Sequence, residues 1–214
     1  MPDLSFHMTG AEADSYAAAP HLNFMLEIHN GSMDARILNV ILHCQVRIDA
    51  ARRRYSASEQ GNLRELFGDP DRWSHNLQSL LWTHTQVAVP AFDRQCAVRL
   101  PVPCSFDFNI AATKYFNGME DGDMPLLLLY SGTVFYDRGA GLQLEQIAAD
   151  KENSYRLPAG IWRQMMARHY PDTVWLALPR DAFARLDRYK RDSGLPTWDR
   201  VLERLLGGAN EEAA

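Results

Sequence analysis

Between residues 37 and 49, apolar and polar side chains alternate almost without interruption. One set of alternate positions is filled by Leu38, Val40, Leu42, Cys44, Val46 and Ile48. A period of two over such a length predicts a long β-strand with one buried face and one mostly solvated face. It is the clearest periodic signal in the chain, and it indicates a fold built on β-sheets.

Further strands are expected on both sides of this segment, at 4–8, 22–28, 80–89, 96–102, 104–113, 125–136 and 142–147. At 104–113 the residues that share one face are Cys104, Phe106, Phe108, Ile110 and Ala112. About eight strands with turn signals between them predict a mainly β protein with C-terminal α structure (α+β). The expected architecture is an antiparallel β-sandwich with a helical cap.

The pattern becomes helical after residue 150. We therefore predict a sandwich at 1–150 with a short helical insertion near 57–67, a C-terminal helical cap at 151–208 packed on the sandwich, and a frayed tail at 209–214. The apolar stripe of the last helix consists of Trp198, Val201, Leu202, Leu205 and Leu206. We expect this stripe to be buried within one chain, against the sheet or the helix at 180–193, and Gly207-Gly208 to end the helix.

Composition excludes several classes of protein. The formal net charge of −5 argues against general binding to a phosphate backbone, which needs a basic surface. The first residues, MPDLSFHMTG, lack the features of a signal peptide, and the longest apolar run, 125–130, is far shorter than the roughly 20 residues of a spanning helix. Three cysteines are an odd, sparse set that fits a reducing compartment. We therefore expect a cytoplasmic protein with no membrane partner.

Spacing typical of a catalytic, metal or nucleotide site is absent from the sequence. Cys96 and Cys104 are eight residues apart, Cys44 is remote, and no CxxC, HxxxH, HExxH or GxSxG motif occurs. His43 and His84 fall on outward strand parity and could meet across a sheet, but exposed polar positions explain them equally well. The sequence therefore predicts no catalytic residue, no cofactor and no metal, and it favours a non-enzymatic role.

A basic cluster follows the long strand and consists of Arg47, Arg52, Arg53 and Arg54, next to Tyr55. Such a cluster can grip an acidic partner or a phosphate. It is also typical of the solvated end of a strand. These five residues are therefore candidate contacts for a partner or an anion, with the structural explanation left open.

Segment 174–206 has the order strand, helix, glycine, helix, which resembles a ribbon-helix-helix module of antitoxins and repressors. Those modules contact DNA with polar or basic side chains of a paired strand. Here the strand positions carry Val174, Leu176 and Leu178 on one parity, and Trp175 and Ala177 on the other. Neither set is suited to recognising bases, so binding to nucleic acid is not favoured.

Five short motifs occur in order along the chain: CQVRI (44–48), LPVPCSFDF (100–108), SGTVFY (131–136), YRLPAGIW (155–162) and GLPTWDRVLERLL (194–206). Together they resemble an uncharacterised bacterial family, a domain of unknown function encoded beside high-affinity, actinobacterial-type nickel–iron uptake hydrogenases. The resemblance covers about 3–207. It implies a role in hydrogenase production, with hydrogenase subunits or maturation factors as protein partners, and it implies no catalytic residues.

We therefore expect a non-enzymatic accessory or interaction protein in the assembly or maturation of a nickel–iron hydrogenase. One alternative is a small-ligand or metal binder that serves the same pathway. A second alternative is a DNA-binding regulator that acts through 174–206. The sequence leaves the oligomeric state open.

Overall fold

The computed structural model describes residues 2–105, 109–139, 141–174 and 176–212, and of 208–212 it describes the backbone alone. The strands are β1 (Leu4–Ala13), β2 (His21–Asn30), β3 (Arg36–Ile48), β4 (Leu80–Val89), β5 (Gln95–Pro103), β6 (Asp123–Asp137), β7 (Leu142–Gln146) and β8 (Glu152–Pro158). The helices are α1 (Ala57–Asn62), α2 (Arg64–Phe67), α3 (Trp73–Asn76), α4 (Ile110–Gly118), α5 (Ala159–His169), α6 (Arg180–Asp192) and α7 (Trp198–Glu212).

The strands form two antiparallel sheets. One has the order β1-β2-β5; the other has the order β4-β3-β6-β7, and β8 also pairs with β6. The inward faces of both sheets supply one hydrophobic core, in which Phe6 of β1 stacks on Tyr130 of β6 with 4.5 Å between ring centroids. The predicted fold class, mainly β with C-terminal helices, is confirmed.

Strand β6 organises the larger sheet because it is long enough to serve two partners on one side. Its first half, from Asp123 to Leu129, pairs with β8, and its second half, from Thr133 to Asp137, pairs with β7. Its other side pairs with β3 along almost the whole length of both strands. The change of partner falls at Gly132, which has φ 139°.

Strand β3 has the alternation that the sequence predicts from Val40 to Ile48, where every second side chain is buried. At its start the register shifts by one residue between Ile37 and Asn39. This bulge buries Ile37 completely and leaves Leu38 exposed, so the inward position predicted for Leu38 is wrong.

The strand predicted at 104–113 is contradicted over its second half, where α4 begins at Ile110. Asn109 caps this helix by accepting a hydrogen bond from the backbone N–H of Ala112. Ala112, Tyr115, Phe116 and Met119 are buried at helical spacing, and Ile110, predicted to be buried, is 51% exposed. Phe106 and Phe108, predicted to share the inward face of this strand, lie outside the described residues.

Strand β8 lies where the sequence predicts the start of the helical cap. Its inward side chains are Asn153, Tyr155 and Leu157, of which Leu157 alone is fully buried. The strand carries too few apolar residues to produce a period-two signal, which explains why it was not predicted.

The helical insertion expected near 57–67 is present as α1 and α2. A capping box starts α1: the Ser56 side chain accepts from the Glu59 backbone, and the Glu59 carboxylate accepts from the Ser56 backbone. Helix α5 follows β8 directly and packs on the core through Trp162, which contacts the Phe116 ring at 4.3 Å between centroids.

Two compact units make up the chain, residues 1–173 and residues 174–214. In the second unit, α6 ends in a Schellman motif: Gly194, with φ 63°, donates to the Arg191 carbonyl, and Leu195 donates to the Lys190 carbonyl. Helix α7 then runs through both glycines at 207–208 to Glu212, past its predicted end and into the segment predicted as a frayed tail. The packing of these helices on the sandwich stays a prediction.

Among the described residues, no helix has both the length and the apolar character needed to cross a membrane.

Candidate functional site

The basic cluster predicted from the sequence lies where β3 ends and the chain turns towards α1. Arg47 binds the hydroxyl and the carbonyl oxygen of Ser79, at 2.8 Å and 3.1 Å from Nη2. Arg52 pairs with Asp49 at 3.0 Å, and Arg54 is exposed. The structure therefore does not bring all the arginines to one site.

Arg53 turns inward and forms a buried ion pair. Its Nη2 lies 2.5 Å from Oε1 of Glu59, and the two side chains are 10% and 5% exposed. The same guanidinium donates to the carbonyl oxygens of Asp121 and Asp123, and Glu59 also accepts from the backbone N–H of Glu120. This Arg53–Glu59 clamp ties α1 to the loop between α4 and β6.

The Glu59 carboxyl has a pKa below its usual value. Burial alone would raise this pKa, but the backbone N–H groups of Ser56 and Glu120 and the guanidinium of Arg53 outweigh that effect. Glu59 is therefore ionised when folded, as the clamp requires.

Tyr55 is also held inside the fold. Its hydroxyl donates to the Ala50 carbonyl at 2.7 Å and lies 3.0 Å from the hydroxyl of Tyr115. Burial raises the pKa of both tyrosines, so both stay protonated. Arg53 and Tyr55 thus have partners within the chain, whereas a contact of Arg52 or Arg54 with an anion or a partner stays a prediction.

A second candidate is an apolar area on the outer face of the larger sheet, which was not predicted. We call Ile41, Phe135, Leu142 and Leu144 the partner face. They lie on three neighbouring strands, since Phe135 pairs with Leu144 of β7 and lies diagonal to Ile41 of β3. Leu142 and Leu144 are 67% and 65% exposed. Large apolar side chains grouped on the solvated face of a sheet form a candidate contact surface for another molecule.

The partner face ends at a charged rim made by three loops. Arg36 pairs with Asp93 at 3.4 Å, and Arg138 pairs with Asp34 at 3.6 Å. Asp137 accepts from the backbone N–H of Gly139 at 2.7 Å. An apolar centre with a polar rim is the usual composition of a protein–protein interface. The sequence predicts all three strands, but it does not predict that β3, β6 and β7 lie side by side.

The cysteines are poor ligands where they lie. Cys44 and Cys104 are buried and Cys96 is half-buried. Burial raises the pKa of Cys44 to about 12 and that of Cys96 to about 11, and it raises the pKa of Cys104 as well. A thiol must lose its proton to bind zinc, so these shifts oppose binding.

The two histidines noted in the sequence do come near each other. His43 pairs with Gln86 and His84 pairs with Gln45, which places both on the outer face in diagonal positions. Within the described part of the chain, no group of three or more His, Cys, Asp or Glu could hold a metal ion.

A groove of about 610 Å³ lies between the end of β1 and α5, lined by Ala11, Ala13, Ile161 and Met165 among others. Neither histidine lines it.

The segment at 174–178 was expected to be a strand. Its described residues, 174 and 176–178, are not part of a strand within this chain. The helices that follow match the predicted order of helix, glycine and helix.

Comparison with known proteins adds a family but no activity. Among curated proteins, none matches this chain. The solution structure of a putative late embryogenesis abundant (LEA) protein is similar at 12% identity over 74% of this chain and 72% of that chain, with a TM-score of 0.29. That likeness is too weak to indicate a shared fold or function. The model of a family of unknown function, DUF6084, matches residues 1–214. The chain therefore belongs to this family of unknown function.

Proposed function

We propose that this protein is a non-enzymatic accessory protein that binds a protein partner in the cytoplasm. Its role is in the assembly or maturation of a nickel–iron hydrogenase, and its partner is a hydrogenase subunit or a maturation factor. The exposed partner face carries this proposal, and the sequence motifs that resemble hydrogenase-associated proteins supply the pathway.

The site chemistry supports binding rather than a reaction. The buried ionisable groups of the basic cluster, Arg53 and Glu59, neutralise each other and bond to backbone groups. The partner face, in contrast, offers large side chains that gain free energy when another surface removes them from water. Strand β7 is also the outermost strand beside β6 among the described residues, and the edge that no described strand pairs with can bond to an extended segment of a partner.

The test is affinity capture from cells that produce the hydrogenase, followed by mass spectrometry. The wild-type chain is compared with Leu142→Glu/Leu144→Glu and with the matched control Leu81→Glu. Leu81 is 41% exposed on β4 and pairs with Arg47, at the other end of the sheet. All three proteins should have melting temperatures within about 2 °C, since exposed sites contribute little to stability.

We expect the wild type and Leu81→Glu to capture a hydrogenase subunit or maturation factor and the double variant to lose it. If the wild type captures neither class of protein, the proposed function is wrong. If the folded double variant captures as much as the wild type, the partner face is not the binding surface.

A further inference from the structure

The two C-terminal helices expose a continuous set of large apolar side chains. We call α6, α7 and the turn between them the hairpin, and we call Phe183, Trp198, Leu202, Leu205 and Leu206 the hairpin face. The rings of Phe183 and Trp198 contact each other at 5.6 Å between centroids, which joins the two helices. Leu202, Leu205 and Leu206 nevertheless remain 45%, 41% and 66% exposed.

The hairpin buries very little of its own surface. No side chain of α6 is buried. Among the described side chains of α7, Val201 is buried and the others are exposed. Helices of 13 and 15 residues are marginal in water without tertiary packing. The Schellman turn fixes the path of the chain between them but contributes no core. An ordered hairpin therefore needs a surface that covers its apolar face.

The exposed area matches what a dimer requires. With about 200 Å² for a fully exposed large apolar residue, the hairpin face exposes roughly 500 Å². Leu176 and Leu178, which precede α6 and are also exposed, raise this to roughly 700 Å² per chain. Two copies would bury about 1,400 Å² in total, within the range of about 1,200–2,000 Å² for specific interfaces.

The charges of this unit favour a copy of itself over a strongly charged partner. Residues 174–214 contain seven basic and seven acidic residues, so the whole net charge of −5 belongs to residues 1–173. Several of the charges are paired locally, as in Arg191 with Asp187 at 3.2 Å and Arg200 with Glu203 at 3.2 Å. A neutral surface neither attracts a nucleic acid nor repels an identical surface.

We propose that the hairpin face is covered by the hairpin of a second copy of this chain, related by a twofold axis. Four helices then surround one apolar core, with Leu202, Leu205 and Leu206 of each copy at its centre. A twofold axis presents the same apolar face on both sides, so a single stripe is sufficient for both copies. This interface is separate from the partner face and does not depend on the proposed function.

The experiment measures the molar mass of the full chain by sedimentation equilibrium and by light scattering at several concentrations. The wild type should have twice the 24.3 kDa mass of the chain. Leu205→Glu/Leu206→Glu should dissociate, with the Kd for self-association raised by at least about 100-fold, because buried unpaired carboxylates are strongly unfavourable. The control Arg204→Glu changes the net charge by the same two units on another side of α7 and should stay a dimer.

A monomeric wild type at about 50 µM would overturn the proposal, since an interface of this size usually gives micromolar affinity or better. That result would favour a hairpin buried on its own sandwich. A dimer that persists in the folded double variant would also overturn it. If the double variant fails to fold, Leu202→Gln decides: a Kd raised by about tenfold or more supports the proposal, and an unchanged Kd refutes it. The partner-face variant Leu142→Glu/Leu144→Glu should remain dimeric.

Discussion

Gly132 is the glycine of the sandwich at which substitution by alanine should lower the free energy of unfolding the most. It lies in the middle of β6, where that strand changes partner from β8 to β7, and its φ of 139° is a conformation that side chains rarely adopt. A Cβ atom added there would lie 2.0 Å from the backbone oxygen of Ile41 in β3. The obstacle is a backbone atom of a buried strand, so no side-chain rotation can relieve it.

The cost of Gly132→Ala follows from two effects. Holding alanine in a backbone conformation of this kind costs about 1–3 kcal/mol. Real Cβ atoms do not approach closer than 3.0 Å, so β3 and β6 must also separate by about 1 Å, which weakens one or two ladder hydrogen bonds at about 0.5–1.5 kcal/mol each. The two effects together give an expected loss of about 1.5–6 kcal/mol in the free energy of unfolding, or a fall in Tm of roughly 3–20 °C.

Urea unfolding, followed by fluorescence and by far-UV circular dichroism, measures this loss. Gly61→Ala is the control, because Gly61 lies within α1 and a Cβ there meets no atom within 4 Å. That variant should be unchanged or gain up to about 1 kcal/mol. If the free energy of unfolding of Gly132→Ala lies within about 0.5 kcal/mol of the wild-type value, as for a neutral surface substitution, the strained glycine and the close approach of β3 are both refuted.

Two further predictions concern buried polar groups. Glu59→Gln leaves the Arg53 charge buried without its partner and should cost about 3–5 kcal/mol, whereas Glu65→Gln, at an exposed ion pair, should cost under about 1 kcal/mol. Because the pKa of Glu59 is lowered on folding, its stabilising effect is present above the unfolded value of about 4.3 and is lost as the pH falls through the lower folded value. Urea titrations between pH 3 and 7, roughly the range of carboxylate titration, should show a smaller loss of stability in acid for Glu59→Gln than for the wild type. An identical dependence of stability on pH in the two proteins would contradict the clamp. The Tyr130 hydroxyl is buried with no hydrogen-bond partner among the described residues, so Tyr130→Phe should match or exceed wild-type stability, and a loss above about 1 kcal/mol would reveal a partner.

The part of the fold that the sequence predicts best is the part in which a single period decides burial. From Val40 to Ile48 each apolar side chain on one parity is buried, because β3 is flanked by β4 and β6 and has one face on the core. The bulge at Leu38 escapes prediction, because an extra residue opposite the partner strand leaves no trace in the alternation itself.

The strand predicted at 104–113 is wrong in its second half for a different reason. Apolar residues at alternate positions up to Ala112 overlap with the helical set that continues through Tyr115, Phe116 and Met119. The Asn109 side chain favours the helix, since it caps α4 and also donates to the carbonyl oxygens of Leu81 and Trp82. The cap is a local signal that can be found in a sequence, but its bonds to β4 are tertiary.

The basic cluster shows why a run of like charges does not define a site. Residues of this cluster contact different groups. Arg53 contacts Glu59, Tyr55 contacts Tyr115, and Arg52 is exposed and pairs with Asp49. The capping box of Ser56 and Glu59 is a sequence signal for the first of these contacts, since it fixes the Glu59 carboxylate at the first turn of α1, just after Arg53 in the chain. That carboxylate is needed because a guanidinium enclosed by the loop between α4 and β6 is unstable without a counter-charge. An anion that bound here would have to displace Glu59, so contacts to a partner are expected at the exposed arginines and at the partner face instead.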